Sequence, residues 1–159
     1  MLLHDRLQTE LEALDNSGER LAELDKRYRE LEEAYRDKAQ TLRERRQTAA
    51  EELARRVTEQ LGELSMGDAA FHVSVVPLAQ ETPTPHGLDD ITFQVRTNAG
   101  QPFGPLNRIA SGGELSRLSL AIQVAAAGTA AIPTLIFDEA DAGIGGGVAE
   151  VVGRQLRSL

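Results

Sequence analysis

The sequence predicts an α/β protein in two parts: a long coiled-coil helix within residues 1–66, then a compact lobe over residues 67–159. Three observations carry this expectation. The composition breaks near residue 66. Residues 1–66 hold 12 Lys+Arg and 16 Asp+Glu with two glycines and no proline, whereas residues 67–159 hold 12 of the 14 glycines and all six prolines. Apolar residues in the first part recur at heptad spacing. The second part alternates apolar and polar residues in two short runs, then carries a Gly-Gly turn and an apolar run that ends in two acids.

Overall composition sets the bounds. The chain has 159 residues and a net charge of −8, so it is not a broadly basic nucleic-acid binder. It has no cysteine, which excludes a disulfide framework and thiolate metal sites and suits a reducing compartment. No apolar run reaches membrane-spanning length, and Asp5, Arg6 and Glu10 interrupt any signal-peptide pattern. These readings predict a cytoplasmic protein with no membrane partner.

In the arm, Leu7, Leu11 and Leu14 form a short stripe on a helix over 2–14. Asp15-Asn16-Ser17-Gly18 predicts a break, and Asn16 with Glu19 three residues on predicts a fresh helix start. From there Leu21, Leu24, Tyr28, Leu31, Tyr35 and Leu42 keep a/d spacing, with Lys38 and Arg45 weakening the seam. The phase then shifts by one, and Ala50, Leu53, Val57 and Leu64 continue it. A helix over 17–64 would be about 70 Å long at 1.5 Å per residue, which favours a coiled coil over a small globular core. Residues 2–14 either fold back or continue as a kinked helix. Acids interleave with the Arg43–Arg46 and Arg55-Arg56 clusters, so these read as a solvated face.

In the lobe, Gly67-Asp68 marks a turn. Phe71, Val73 and Val75 predict one strand, and Ile91, Phe93 and Val95 a second, with a Pro/Gly loop over 77–89 between them. Asn98-Ala99-Gly100 turns the chain, and Pro102 and Pro105 keep the next segment extended. His72 reads as solvent-facing and His86 as a loop residue, neither a ligand. Leu115, Leu118, Ile122 and Ala125/Ala126 predict the apolar face of a helix ending near Gly128. Thr134–Phe137 reads as a buried strand delivering Asp138 and Glu139 at its C-terminal end, and Val148, Val151, Val152 and Leu156 line a last helix.

The chemistry concentrates in two motifs. Ser111-Gly112-Gly113-Glu114 opens a helix with capping-box spacing, and the glycines let an anion approach bare backbone amides. Asp138-Glu139 closes a strand about twenty residues downstream. An ordinary capped turn and a solvated strand end are the plain alternatives for each motif taken singly.

Together, in this order and spacing, the motifs resemble the signature and Walker B motifs of ABC-type ATPases. Asn107–Arg117 and Leu135–Gly146 further resemble the structural-maintenance-of-chromosomes-like (SMC-like) branch that works in bacterial DNA repair. The specific match covers residues 91–159, and the helical arm fits in kind. The resemblance implies a partial ABC-type ATPase head lobe at the C-terminal end of the arm, acting in DNA double-strand-break repair and recombination. Asp138 would hold Mg²⁺, through water, beside ATP. Glu139 would orient or deprotonate the attacking water. Ser111, Gly112, Gly113 and Glu114 would serve the γ-phosphate of ATP held on a second head, and Asp141 and the loop to Gly146 would lie across the head interface. Arg117 would either support the signature or stand as a surface cation. The implied partners are a second head of the same protein, in a homodimer, and DNA for the full-length protein on the nucleoid.

One position departs from the wider family: chromosome-maintenance ATPases carry an Asp where this chain has Gly145, a Gly-rich form shared with the DNA-repair branch. No Gly-x-x-x-x-Gly-Lys-Ser/Thr segment occurs, so the Asp-Glu pair has no P-loop of its own. In the family the P-loop precedes the coiled coil and a switch histidine follows the last helix. The chain therefore reads as the returning arm and part of the second lobe, cut at its end and inactive alone. Two other readings stand beside it: a non-catalytic coiled-coil adaptor with a vestigial head, and a helicase, because Asp138-Glu139-Ala140-Asp141 spells a helicase box. The helicase reading lacks the upstream P-loop that class needs within the same domain.

Overall fold

The computed structural model describes residues 2–79, 82–109, 111–127 and 146–158. Helix α1 runs Leu2–Glu63 as one element of 62 residues. Strands β1 (Ala70–Pro77) and β2 (Asp89–Arg96) form an antiparallel hairpin, and the short β3 (Gly104–Pro105) adds to β2 to give a sheet in the order β1-β2-β3. A single 3-10 turn (Leu106–Arg108), helix α2 (Gly112–Ala127) and helix α3 (Gly147–Ser158) follow. The predicted strand over 134–137 lies outside the described residues, as do Asp138, Glu139 and Asp141.

The expected break at residues 15–18 does not occur, because α1 passes through Asp15-Asn16-Ser17-Gly18 without interruption. Helix propagation explains this. A mid-helix glycine costs about 1 kcal/mol relative to alanine, while each restart repeats an unfavourable nucleation step. Residues 2–14 therefore continue the helix rather than fold back. Exposed i,i+4 pairs such as Asp25–Arg29 (2.7 Å) and Lys26–Glu30 (3.9 Å) line the helix past residue 18.

At its C-terminal end α1 stops in a Schellman-type cap. Met66 N–H reaches Leu61 C=O (2.9 Å) and Ser65 N–H reaches Gly62 C=O (3.3 Å). The left-handed residue is Ser65, at φ 61°, a position more often given to glycine. Leu61 and Met66 are both buried, the apolar contact that accompanies such caps.

That cap turns the chain so that β1 comes back along α1. The register pairs Phe71 with Val95, Val73 with Phe93 and Val75 with Ile91, so the predicted alternation gathers one apolar face. The face is buried at one end (Phe71 3%, Val95 6% exposed) and open at the other, where Ile91 is 43% exposed. The core forms where the end of α1, the hairpin and α2 meet. Val57, Leu61, Leu64 and Ala121 are fully buried there, with Leu118 at 1%, and Val152 brings α3 onto the same cluster. In α2 the buried residues are Leu118, Leu120, Ala121, Val124 and Ala125. The expected face is thus rotated: Leu115 is 48% exposed, and Leu120 and Val124 are buried in its place.

The reading of both arginine clusters as a solvated face holds for Arg55, which is exposed and paired with Glu52 and Glu59. It fails for Arg43 and Arg46. Both are half-buried and both reach Asp89, a residue 43–46 positions away.

Candidate functional site

The Ser111 turn sits where the sheet hands the chain to α2. Pro105, the 3-10 turn and the extended Ile109 carry the backbone from β3 to the start of that helix. Ser111 C=O accepts the Leu115 N–H at 3.0 Å, so Ser111 is the N-cap and Gly112 the first helical residue. The amides of residues 112–114 therefore have no partner within the helix. Among the described residues, neither Ser111 Oγ nor the Glu114 carboxylate forms the reciprocal capping bonds that the spacing predicts. Ser111 and Gly112 are exposed, and solvent satisfies polar groups there without such bonds. Gly112 has open space around it, with nothing within 4 Å of where a Cβ would stand. Ser116 Oγ donates to Gly112 C=O at 3.1 Å and pins the first turn.

Beside this helix end lies a groove of about 660 Å³, with Arg96, Phe103, Arg108, Ser111 and Glu114 in its walls. Arg96 lies over the Phe103 ring at 5.2 Å, and the His72 ring packs tilted against the same ring, centroids 5.4 Å apart. Arg96 and Arg108 outnumber Glu114, so the groove carries a positive balance. An exposed helix N-terminus with free amides, a glycine that keeps its approach clear and cations alongside fit phosphate oxygens. Arg117, one turn into α2, is half-buried, and its Nε is shielded with no acceptor among the described residues. It is not a plain surface cation.

The structure brings Ser111, Gly112, Gly113 and Glu114 together at one helix end. It offers no placement for Asp138, Glu139 or Asp141, which lie outside the described residues. Among the described residues no group of three or more His, Asp or Glu could hold a metal ion, and no helix is long and apolar enough to cross a membrane. His72 is exposed on its strand and His86 lies exposed in its loop, as the alternation and the loop composition predict. Sequence reasoning missed Asp89 and Tyr35. The first pairs with two arginines and the second with Thr84 across 49 residues, and nothing local to either signals its partner.

The fold defines the class first. A solved SMC head, the SmcHead bound to the C-winged helix domain of ScpA, aligns with a TM-score of 0.52 at 18% identity, over 70% of this chain and 32% of that one. That likeness is one of fold. The sequence defines the kind. The DNA repair protein RecN of Xylella fastidiosa (strain Temecula1) is 43% identical over 155 residues, 98% of this chain and 28% of the relative. RecN of Vibrio cholerae serotype O1 is 42% identical over 156 residues, with the same coverage. RecN of Haemophilus influenzae is 49% identical over 111 residues, 70% of this chain and 20% of the relative. No protein-family profile matches the chain. The chain is thus RecN-like, with a fold shared with part of an SMC head, and it spans a little over a quarter of the length of the first two of these relatives.

Proposed function

We propose that this chain is the arm and signature-bearing lobe of a RecN-like, SMC-type ATPase that acts in DNA double-strand-break repair, in the bacterial cytoplasm on the nucleoid. The observation that carries the reading is the open N-terminus of α2, where Ser111, Gly112, Gly113 and Glu114 present free amides and a hydroxyl beside a groove of positive balance. Such a surface takes a phosphate. The active species is a homodimer in which each head offers this surface to ATP bound on its partner.

Phosphoryl transfer asks the protein mainly for positioning and charge neutralisation. The α2 amides hold the γ-phosphate oxygens and share the charge that spreads over them in the transition state. Ser111 Oγ donates to one of those oxygens. Glu139 accepts a proton from, or orients, the attacking water. Asp138 would hold Mg²⁺ through water, and the metal would supply positive charge to offset that of the phosphate. Asp141 and the loop to Gly146 would lie across the head interface. Full-length protein binds DNA through regions other than this acidic segment.

Mixed dimers of the full-length protein test the shared site. Glu139→Gln keeps size and a hydrogen-bonding oxygen but cannot take a proton, so turnover falls by roughly 10²–10⁴ while ATP binding persists. Ser111→Arg leaves each head able to bind ATP but blocks closure on the γ-phosphate. Asp138→Asn weakens Mg-nucleotide binding instead. In a dimer of one Ser111→Arg chain and one Glu139→Gln chain, one composite site holds both lesions and the other neither. Part of the ATPase activity is then expected to return. Mixed dimers that form and stay inactive would refute independent sites shared between chains.

A further inference from the structure

The heptad stripe of α1 changes its covering along its length. Leu21, Leu24, Tyr28 and Leu31 are 56–67% exposed. From the next turn one side of that stripe is covered: Tyr35 and Leu42 are half-buried and Ala39 beside them is 5% exposed, while Lys38 and Arg45 stay exposed. The loop joining β1 to β2 covers that side. Tyr35 Oη donates to Thr84 C=O at 3.1 Å and accepts the Thr84 N–H at 3.0 Å. The Asp89 carboxylate, with no exposed surface, accepts from Arg43 Nε at 2.6 Å and Arg46 Nη1 at 3.4 Å. Gly87, at φ +87°, sits so close that a Cβ there would lie 3.1 Å from Leu42 Cδ2 and 3.3 Å from Arg46 Nη1.

The loop is also built to hold that shape by itself. Thr84 Oγ1 donates to Gly87 C=O at 2.7 Å and accepts the His86 N–H at 3.1 Å, and Leu78 N–H donates to Leu88 C=O at 2.9 Å. A buried carboxylate held by two guanidinium groups does not come loose cheaply, because opening strips one charge of its partners before water replaces them. The contact is therefore a standing part of the fold.

We propose that the β1–β2 loop is a clasp. It covers the Tyr35–Leu42 side of the heptad seam of α1, fixes that half of the helix to the lobe, and makes Leu31 the lower limit of the surface on which a second helix can pair. The occupant of the upper seam is a coiled-coil helix, because its leucines repeat at heptad spacing and ion pairs such as Asp25–Arg29 flank them. A partner helix descending the arm meets Tyr35 and the loop and has to leave the seam there. Any displacement of the hairpin then passes to the arm at Tyr35–Arg46, not through the cap at Ser65 alone. The inference does not depend on the nucleotide chemistry proposed above.

Hydrogen exchange on the full-length protein tests it with Asp89→Asn, which removes the charge at nearly constant size, and Tyr35→Phe, which removes one hydroxyl. Exchange in residues 35–50 and 82–88 is expected to speed up by roughly tenfold or more, the scale set by losing a hydrogen bond to a charged group, while residues 21–31 keep their wild-type rate. Equal acceleration in 21–31 would mean that one partner covers the whole seam, and would overturn the clasp. Unchanged rates in 35–50 and 82–88 would overturn it as well. Slow exchange at 71–75 and 93–95 reports an intact hairpin; if Asp89→Asn loses that protection, Tyr35→Phe decides.

Discussion

Leucines of one heptad pattern should carry very different energies in α1, and Leu61→Ala against Leu24→Ala measures the difference. Leu61 has no exposed surface and belongs to the cluster shared with Leu64, Phe71 and Leu118. Truncation to alanine removes three carbons, about 2.4 kcal/mol of transfer free energy at ~0.8 kcal/mol each. The three elements around it cannot all collapse inward, so the cavity adds about 1–1.5 kcal/mol, for a total near 3.5–4 kcal/mol. Leu24 is 56% exposed. Less than half of its transfer term is at stake, and alanine's slightly better helix propensity offsets part of that, leaving under about 1 kcal/mol. Urea unfolding followed by circular dichroism reads both. With a slope of ~2 kcal/mol/M, Leu61→Ala lowers the midpoint by about 1.5–2 M and Leu24→Ala by less than about 0.5 M. A Leu61→Ala cost below about 1 kcal/mol, or equal costs at the two sites, would refute the placement of the core at the lower end of the arm.

Three further outcomes follow from named contacts. Gly87→Ala puts a methyl group 3.1 Å from Leu42 Cδ2 in a left-handed backbone, and should destabilise by about 1–2 kcal/mol as read by the same urea midpoint; a neutral result would mean the loop does not hold this conformation. The exposed Leu21–Leu31 stripe should drive self-association of the isolated chain, so sedimentation equilibrium at micromolar concentration should show dimers or larger species, and a clean monomer would count against the heptad reading. The hydrogen bond from Arg55 holds the Glu52 carboxyl below its ordinary range, so that pair's contribution is present above the unfolded-state pKa and fades as pH falls through the lower folded value. Both groups are fully exposed, so Glu52→Gln should leave the unfolding midpoint at neutral pH unchanged within error, and a measurable shift would show that the pair is more than a surface contact.

The strands were legible because their signal is local. Phe71, Val73 and Val75 alternate with polar neighbours, and so do Ile91, Phe93 and Val95, which leaves one sensible register once the Pro/Gly loop joins them. The α2 start was legible because Ser-Gly-Gly-Glu encodes a backbone shape directly. The helix face was less so: Leu115 and Leu120 look alike in sequence, and only the packing of α2 onto the core selects the second. The break at 15–18 was misread because Asp, Asn, Ser and Gly are turn formers one by one, whereas a 62-residue helix averages over them.

The arm's lower half shows why composition misleads about charge. Arg43-Glu44-Arg45-Arg46 looks solvated because its acids sit next to its bases. Helical geometry separates them: Arg43 and Arg46 are three residues apart and share a face, while Glu44 and Arg45 point elsewhere. Two cations on one face want an acid from outside the helix, and the chain supplies it at Asp89, the first residue of β2. The same spacing that let Tyr35 and Leu42 read as coiled-coil positions also places them against that loop. Heptad spacing therefore identifies a face that must be covered, and it does not identify what covers it. Above Tyr35 the face awaits a helix, and below it the chain's own hairpin has taken the place. A coiled coil built on this arm consequently ends where Tyr35 Oη meets Thr84, well before the heptad positions Val57 and Leu64 that enter the core.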